Sequence, residues 1–190
     1  LPRGGVPVGY QIARALNAPL DLVIAKKIGA PSNPELAVGA VTESGLVHVN
    51  EQLVLQVGIA PNWLEEEAAR QLERLKREAS TYSPHRPRLD YGGREVILVD
   101  DGAATGYTML AALQEARSNA PSRLVAALPV APFDTVERFK AHADDVVCLL
   151  MPPDFFAVGE FYHEFSPVPD LEVIRLLDEA NARHRDWEAS

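Results

Sequence analysis

An α/β fold with a doubly wound, mostly parallel sheet is what this sequence predicts, and three observations carry the prediction. From Arg94 onward, short apolar runs alternate with helical segments of about ten residues, the pattern left by right-handed crossovers between parallel strands. The runs are continuous rather than alternating, as in Val96-Ile97-Leu98-Val99, which suits strands covered on both faces. A hydrophobic share of 47% and a charged share of 24% over 190 residues describe a globular chain that buries its own core without a disulfide or zinc. One domain over residues 1–190 is expected.

Each element has its own warrant. Gly4-Gly5 opens a helix over Val6 to Leu16, with Val8, Ile12, Ala15 and Leu16 at helical spacing and Pro7 tolerated in the first turn. Leu20 to Ile28 reads as a strand, with Val23-Ile24-Ala25 buried and Lys26-Lys27 at its end. Gly29 to Pro34 is rich in Gly, Pro, Ser and Asn and reads as a loop. Val38 to Val49 holds two β-rich runs around Glu43-Ser44-Gly45, which predicts a hairpin. Pro61 to Ser80 is the clearest helix: Asn62 is expected to cap it, and Leu64, Ala68, Leu72, Leu75 and Ala79 form one stripe. The pairs Glu66/Arg70 and Glu73/Arg77 read as a solvated face. Ser83 to Gly93 is a linker. Strands then follow at Val96 to Val99, Leu124 to Val130 and Val146 to Leu150, with helices at Thr108 to Ser118 and Phe133 to His142. Asp170 to Trp187 is a final amphipathic helix.

Charge and composition exclude several classes. Eighteen Lys and Arg against 27 Asp and Glu leave a net charge of -9, which disfavours a duplex-DNA binder working by counterion release. No window approaches a membrane span and no signal peptide is visible. The lone cysteine, Cys148, lies in an apolar run and reads as core; with no internal disulfide available, a cytoplasmic location is expected. The chain opens at Leu1 without a methionine, as a trimmed or renumbered fragment would. Its five histidines show no metal spacing. No G-x-G-x-x-G follows a predicted strand, so a dinucleotide oxidoreductase fails on its fingerprint.

The chemistry concentrates where a strand ends. In open parallel sheets, ligands bind beyond the carboxyl ends of strands. Here Val99 runs into Asp100-Asp101, then into Gly102-Ala103-Ala104-Thr105-Gly106-Tyr107-Thr108 and a helix. Small side chains let backbone amides approach an anion, Thr105 and Thr108 offer hydroxyls, and the helix adds its positive end. Such a loop suits a phosphate monoester. The adjacent carboxylates suit the hydroxyls of an attached sugar, or a metal. Asp100-Asp101-Gly102 alone would read as a turn and cap; the strand before it and the helix after it favour a site.

Val96 to Thr108 (VILVDDGAATGYT) resembles the phosphoribosyl-pyrophosphate (PRPP) signature of type I phosphoribosyltransferases, and Leu1 to Gly5 (LPRGG) resembles their pyrophosphate loop. The stretches LPRGGVPVGYQIARAL, KKIGAPSNPELAVGAV, REVILVDDGAATGYTM and DFFAVGEFYHEF resemble a predicted bacterial and archaeal phosphoribosyltransferase family over nearly the whole chain. That family usually has a further helix and core strand before the position of Leu1. The resemblance implies the type I phosphoribosyltransferase fold. It also implies transfer of 5-phosphoribosyl from PRPP to a nucleobase, or to the amine or hydroxyl of a small metabolite, with Mg²⁺. Asp100 and Asp101 would hold the ribose hydroxyls, with or without Mg²⁺ between, Ala103 to Thr108 would wrap the 5-phosphate, and Gly102 would also contact PRPP. Pro2, Arg3, Gly4 and Gly5 would receive pyrophosphate, with Pro2-Arg3 the candidate for a cis non-proline peptide. Lys27 would be a second cation for the leaving group.

Exclusion of water is the remaining requirement of such a transfer. Gly29 to Val49 is the expected lid, with Pro61 to Ser80 as an appended flap inside a 29–93 insertion; Glu43 at the hairpin tip would reach the site on closure. Residues 151–190 would form a C-terminal hood and helix. Within it Asp154, Phe155, Phe156 and Tyr162 are the expected acceptor contacts, with Phe161 and Phe165 completing a stacking platform or an aromatic mini-core. Glu160, His163 and Glu164 join Asp154 as groups suited to a cationic acceptor. Ala104 stands where the 6-oxopurine branch has a proton-handling aspartate, which argues against hypoxanthine or guanine salvage. Tyr107 is bulky where relatives have a smaller residue, so its ring either narrows the site or faces outward. PRPP and a small acceptor are the expected partners, with neither nucleic acid nor membrane, and a homodimer is the assembly entertained. The alternative is a PRPP-binding regulator without turnover.

Overall fold

A computed structural model describes residues 1–87 and 89–188. The chain runs α1 (Gly5–Leu16), β1 (Ala25–Ala30), β2 (Asn33–Thr42), β3 (Val47–Val49), α2 (Glu51–Val57), α3 (Pro61–Tyr82), β4 (Glu95–Val99), α4 (Tyr107–Ser118), β5 (Arg123–Val130), α5 (Phe133–Lys140), β6 (Asp145–Leu150) and α6 (Asp170–Glu188). Strands β4-β5-β6 form a parallel sheet in that order, and β1-β2-β3 form a separate antiparallel one. The α/β architecture, with a central sheet and flanking helices, is thus present. No helix among the described residues is long and apolar enough to cross a membrane.

Helix α4 explains how the two sheets become one molecule. Tyr107, Met109, Leu110, Ala111, Ala112, Leu113 and Ala116 are all buried, so apolar residues surround the helix rather than forming a stripe. It packs on β1 and β2 on one side and on β4 and β5 on the other. Leu98, Leu124, Ala126 and Leu128 from the parallel sheet meet Ala37 and Ala40 of β2 in the same cluster. A second core joins Val6 and Tyr10 of α1 to Leu75 and Tyr82 of α3 and Val173 and Leu177 of α6. A third lies between the antiparallel sheet and α2/α3. Beside β4, an apolar groove of about 400 Å³ runs between α1, Leu20 to Val23 and Val96 to Val99.

Several local expectations are corrected. Leu20 to Ile24 join no ladder, and the strand covers Ala25–Ala30. This backbone pairs elsewhere: Asn181 accepts from Leu20 N and donates to Leu20 O, Arg86 donates to Leu22 O, and the Glu43 N–H donates to Ile24 O. The Gly29 to Pro34 loop shrinks to a two-residue turn at Pro31-Ser32, with Ala30 opposite Asn33. The Glu43-Ser44-Gly45 hairpin forms, pairing Val41 with Val47. Ala60, not Asn62, caps α3, because Pro61 takes the first helical position, where a missing N–H costs nothing. Helix α2 was not foreseen. Asn50 accepts from Leu53 N and Gly58 closes the helix at φ 70°; Leu53, Val54 and Val57 are only partly buried against the third core, and seven residues are too short a run to show a helical period.

The segment expected as lid and flap is packed into the body. Ala37 and Ala40 are buried on α4, Thr42 Oγ1 donates to Glu115 Oε2 at 2.8 Å, and α3 supplies core through Leu75, Ala79 and Tyr82. Glu43 is paired at the hairpin: Arg86 donates to it at 2.6 Å and to Asp21 at 3.1 Å. The Arg86 and Asp21 side chains are 10% and 6% exposed, a buried ion pair that Glu43, 34% exposed, joins from the hairpin tip. Cys148 is half-buried in β6 and packs against the main core.

Candidate active site

Two loops and one hood meet at the end of β4. Pairing with β5 carries β4 straight to Asp100, whose N–H donates to Ala127 O. The Ala103 N–H then donates to Val130 O at 3.1 Å, tying the next turn to the end of β5. The chain reverses at Gly106, φ 74°, and enters α4. Glycine is needed there twice over: the backbone is left-handed, and an added Cβ would stand 2.7 Å from the Phe139 ring. Ala104 and Thr105 are exposed. Among the described residues nothing accepts from the N–H groups of 104 to 106. These amides and the positive end of α4 make an open anion cup.

The Leu1 to Gly5 loop lies against this turn. Leu1 N donates to Val99 O at 2.5 Å, and the Pro2-Arg3 peptide is cis. A Cβ on Gly4 would fall 1.7 Å from Asp101 Oδ2, and one on Gly5 2.7 Å from Asp100 Cα. The glycines therefore do more than expose amides: their lack of side chains lets the two loops touch. Arg3 sits 3.7 Å from Asp170 Oδ1 at the start of α6, and Tyr82 donates to the same carboxylate at 2.5 Å. Sequence reasoning missed Asp170 and Tyr82, because neither lies in a motif and only the docking of α3 and α6 brings them to Arg3.

Burial dominates the electrostatics. Desolvation pushes the Asp100 carboxyl up to about 7, against the opposing charge of the Leu1 amino group, and the neighbouring Asp101 charge adds to the rise. Asp101 is raised too, by burial. Residues 151–165 hang over these carboxylates: Tyr162 donates to the Asp101 carbonyl at 2.5 Å, and Val158 packs on Gly102. Burial and the two aspartates raise the Tyr162 phenol to about 12.

Of the expected acceptor residues, Tyr162 is at the site and Phe155 stacks on Phe161 with centroids 5.5 Å apart. Phe156 is 83% exposed and Asp154 is exposed as well. Phe165 tilts against Tyr162 at 5.1 Å, so the aromatics cover one another, half-exposed, rather than forming a mini-core. The Tyr107 ring leaves the cup open. It is buried against His48, its hydroxyl accepts from Asn50 Nδ2, and Arg138 lies 5.7 Å over its face. Lys27, expected to meet the leaving group, is exposed on β1 and borders a groove with Trp63 and Arg74.

Asp100 and Asp101 are the groups of this site that could hold a divalent cation. Asp100 and Asp101 offer oxygen only, and no group of three or more His, Cys, Asp or Glu suited to a metal occurs among the described residues. Mg²⁺ is commonly held by one or two carboxylates, with substrate oxygens and water completing the shell.

Fold and site together are those of an open α/β sheet with an amide cup and paired carboxylates past one strand end. The phosphoribosyl transferase domain model matches residues 1–166, and the chain belongs to that family. It is 43% identical over 187 residues to a protein named "Putative phosphoribosyl transferase" in two strains of Mycobacterium tuberculosis. The match covers 98% of this chain but 42% of those relatives, so the chain spans less than half their length. The crystal structure of TT1426 from Thermus thermophilus is similar at 46% identity and a TM-score of 0.78, over 94% of this chain and 84% of that one.

Proposed function

We propose that this chain transfers the 5-phosphoribosyl group of PRPP to a small acceptor and releases pyrophosphate. One observation carries the reading: Asp100 and Asp101 stand between an open amide cup on one side and the Arg3-Gly4-Gly5 loop on the other. A sugar with phosphate at one end and pyrophosphate at the other has this order of charges.

In the proposed reaction, the amides of 104 to 106 and the Thr105 and Thr108 hydroxyls bind the 5-phosphate. Asp100 and Asp101 accept from the ribose hydroxyls. Arg3 swings from Asp170 to the pyrophosphate, joined by the Gly4 and Gly5 amides. The bond from ribose C1 to the pyrophosphate oxygen breaks, and its electron pair leaves with pyrophosphate. Carboxylates below an oxocarbenium-like C1 stabilise the positive charge that develops. The acceptor's lone pair then bonds C1, and its proton departs. Ala104 has no group to take that proton, so the acceptor either loses it readily or passes it to another base. Mg²⁺ held by Asp100 and Asp101 would neutralise charge on the leaving group. Tyr162 and the Phe155/Phe161 stack cover the C1 side and form the acceptor's wall.

The test is a pair of measurements. Asp100→Asn combined with Asp101→Asn should weaken PRPP binding by about 2–4 kcal/mol, as two charge-assisted contacts are lost, and calorimetry reads it. Unchanged affinity would refute the site. Pyrophosphate release is then followed with PRPP, Mg²⁺ and a panel of bases and amines. Tight binding with silence across the panel would favour a regulator over an enzyme.

A further inference from the structure

The geometry points to Thr135 and Arg138 of α5 as positioning residues that aim the amides of the phosphate cup; the inference rests on the cup's binding a 5-phosphate. Thr135 is 2% exposed, and its hydroxyl donates to the Ala104 carbonyl at 2.8 Å. Arg138 Nη2 donates to the Thr105 carbonyl at 2.9 Å and to Thr135 Oγ1 at 2.8 Å. Its guanidinium also covers the Tyr107 ring. The Thr135 methyl and the Phe139 ring fill the space where a Cβ on Gly106 would stand. One face of α5 is thus moulded to the back of residues 104–107.

The consequence follows from peptide planarity. In a trans peptide, the carbonyl of one residue and the N–H of the next point in opposite directions. Drawing the Ala104 carbonyl toward Thr135 therefore turns the Thr105 N–H away from α5, into the cup. Drawing the Thr105 carbonyl toward Arg138 does the same for the Gly106 N–H. The bonds also run in series: Arg138 donates to Thr135, which donates to Ala104, so each polarises the next. Neither side chain touches the cup's front. They act through the backbone, fixing before the ligand arrives what would otherwise be ordered at its expense.

The test compares two ligands that engage opposite ends of the site. Ribose 5-phosphate uses the cup, whereas inorganic pyrophosphate uses the Arg3-Gly4-Gly5 end. Thr135→Val keeps the shape and the methyl but removes the donor. Titration calorimetry should show ribose 5-phosphate binding weakened about tenfold, the range expected when a carbonyl loses its partner, with pyrophosphate affinity unchanged. Thr135→Ser should restore the wild-type value, and Arg138→Met should produce a loss in the same ligand alone. Equal weakening of both ligands would reduce α5 to a structural role and overturn the inference. Unchanged ribose 5-phosphate affinity in both Thr135→Val and Arg138→Met would overturn it as well. If the wild-type protein bound pyrophosphate but not ribose 5-phosphate, the cup itself would be misread, a failure distinguishable from that of the brace.

Discussion

Gly4 and Gly5 are neighbours, yet adding one methyl to each should have opposite consequences. At Gly4 the new Cβ would meet Asp101 Oδ2 at 1.7 Å and Cγ at 2.6 Å, the far end of a side chain that can rotate. The backbone there, φ -63° and ψ -34°, is helical and suits alanine. Gly4→Ala should therefore fold with a melting temperature near wild type, because the displaced carboxylate costs little and the stiffer chain returns about 0.4–1 kcal/mol. Its cost falls on binding. With Asp101 expelled, one charge-assisted contact worth about 1.5–3 kcal/mol is lost, a fall of about tenfold to a hundredfold in PRPP affinity. At Gly5 the obstacles are Asp100 Cα at 2.7 Å and Val99 O at 2.8 Å, both main chain. Gly5→Ala must move the end of β4, costing about 1–3 kcal/mol, or about 3–10 °C in melting temperature for a domain of this size. Scanning calorimetry and isothermal titration of both variants read the two axes. A Gly4→Ala protein that folds normally and binds PRPP like wild type would refute the claim that the two loops touch through the glycines.

The Asp100 carboxyl makes stability and binding respond to pH in opposite senses. Its folded value is raised, so its contribution to stability is complete below the ordinary carboxylate range and is lost as pH rises through about 7. Affinity for Mg²⁺ with PRPP needs the ionised form and should rise about tenfold between about pH 6 and 8; Asp100→Asn should flatten both curves, and titration calorimetry across that range checks it. Arg86→Ala leaves Asp21, whose side chain is 6% exposed, and Glu43 without their cation. The expected loss is about 3–5 kcal/mol, read by denaturant unfolding. Glu43→Gln, in contrast, should leave pyrophosphate affinity unaltered by titration, since Glu43 is engaged by Arg86; a marked loss would support the lid reading.

Legibility in the sequence followed locality. The strand into Asp100-Asp101, the small-residue turn and α4 are contiguous, so their order alone exposed both the β4–α4 unit and the amide cup. The LPRGG stretch was readable for the same reason, and its cis peptide falls at the expected bond. Helix α2 escaped because its cap signals were not joined to a buried stripe. The strand expected over Leu20 to Ile28 fails at Leu20 to Ile24 because an apolar run reports burial, not pairing, and Asn181, far along the chain, takes the hydrogen bonds of Leu20.

What the sequence determined by itself is therefore the set of groups gathered at the candidate site, because one short loop carries most of them and backbone amides need no side-chain partner to be announced. Tertiary packing decided how those groups are held. It set Gly4 against Asp101, parked Arg3 beside Asp170, turned Glu43 to Arg86, and laid Thr135 and Arg138 behind the cup. These contacts join residues dozens to more than a hundred positions apart, and a pairing at that range is fixed by how helices and sheets dock, which no local spacing encodes.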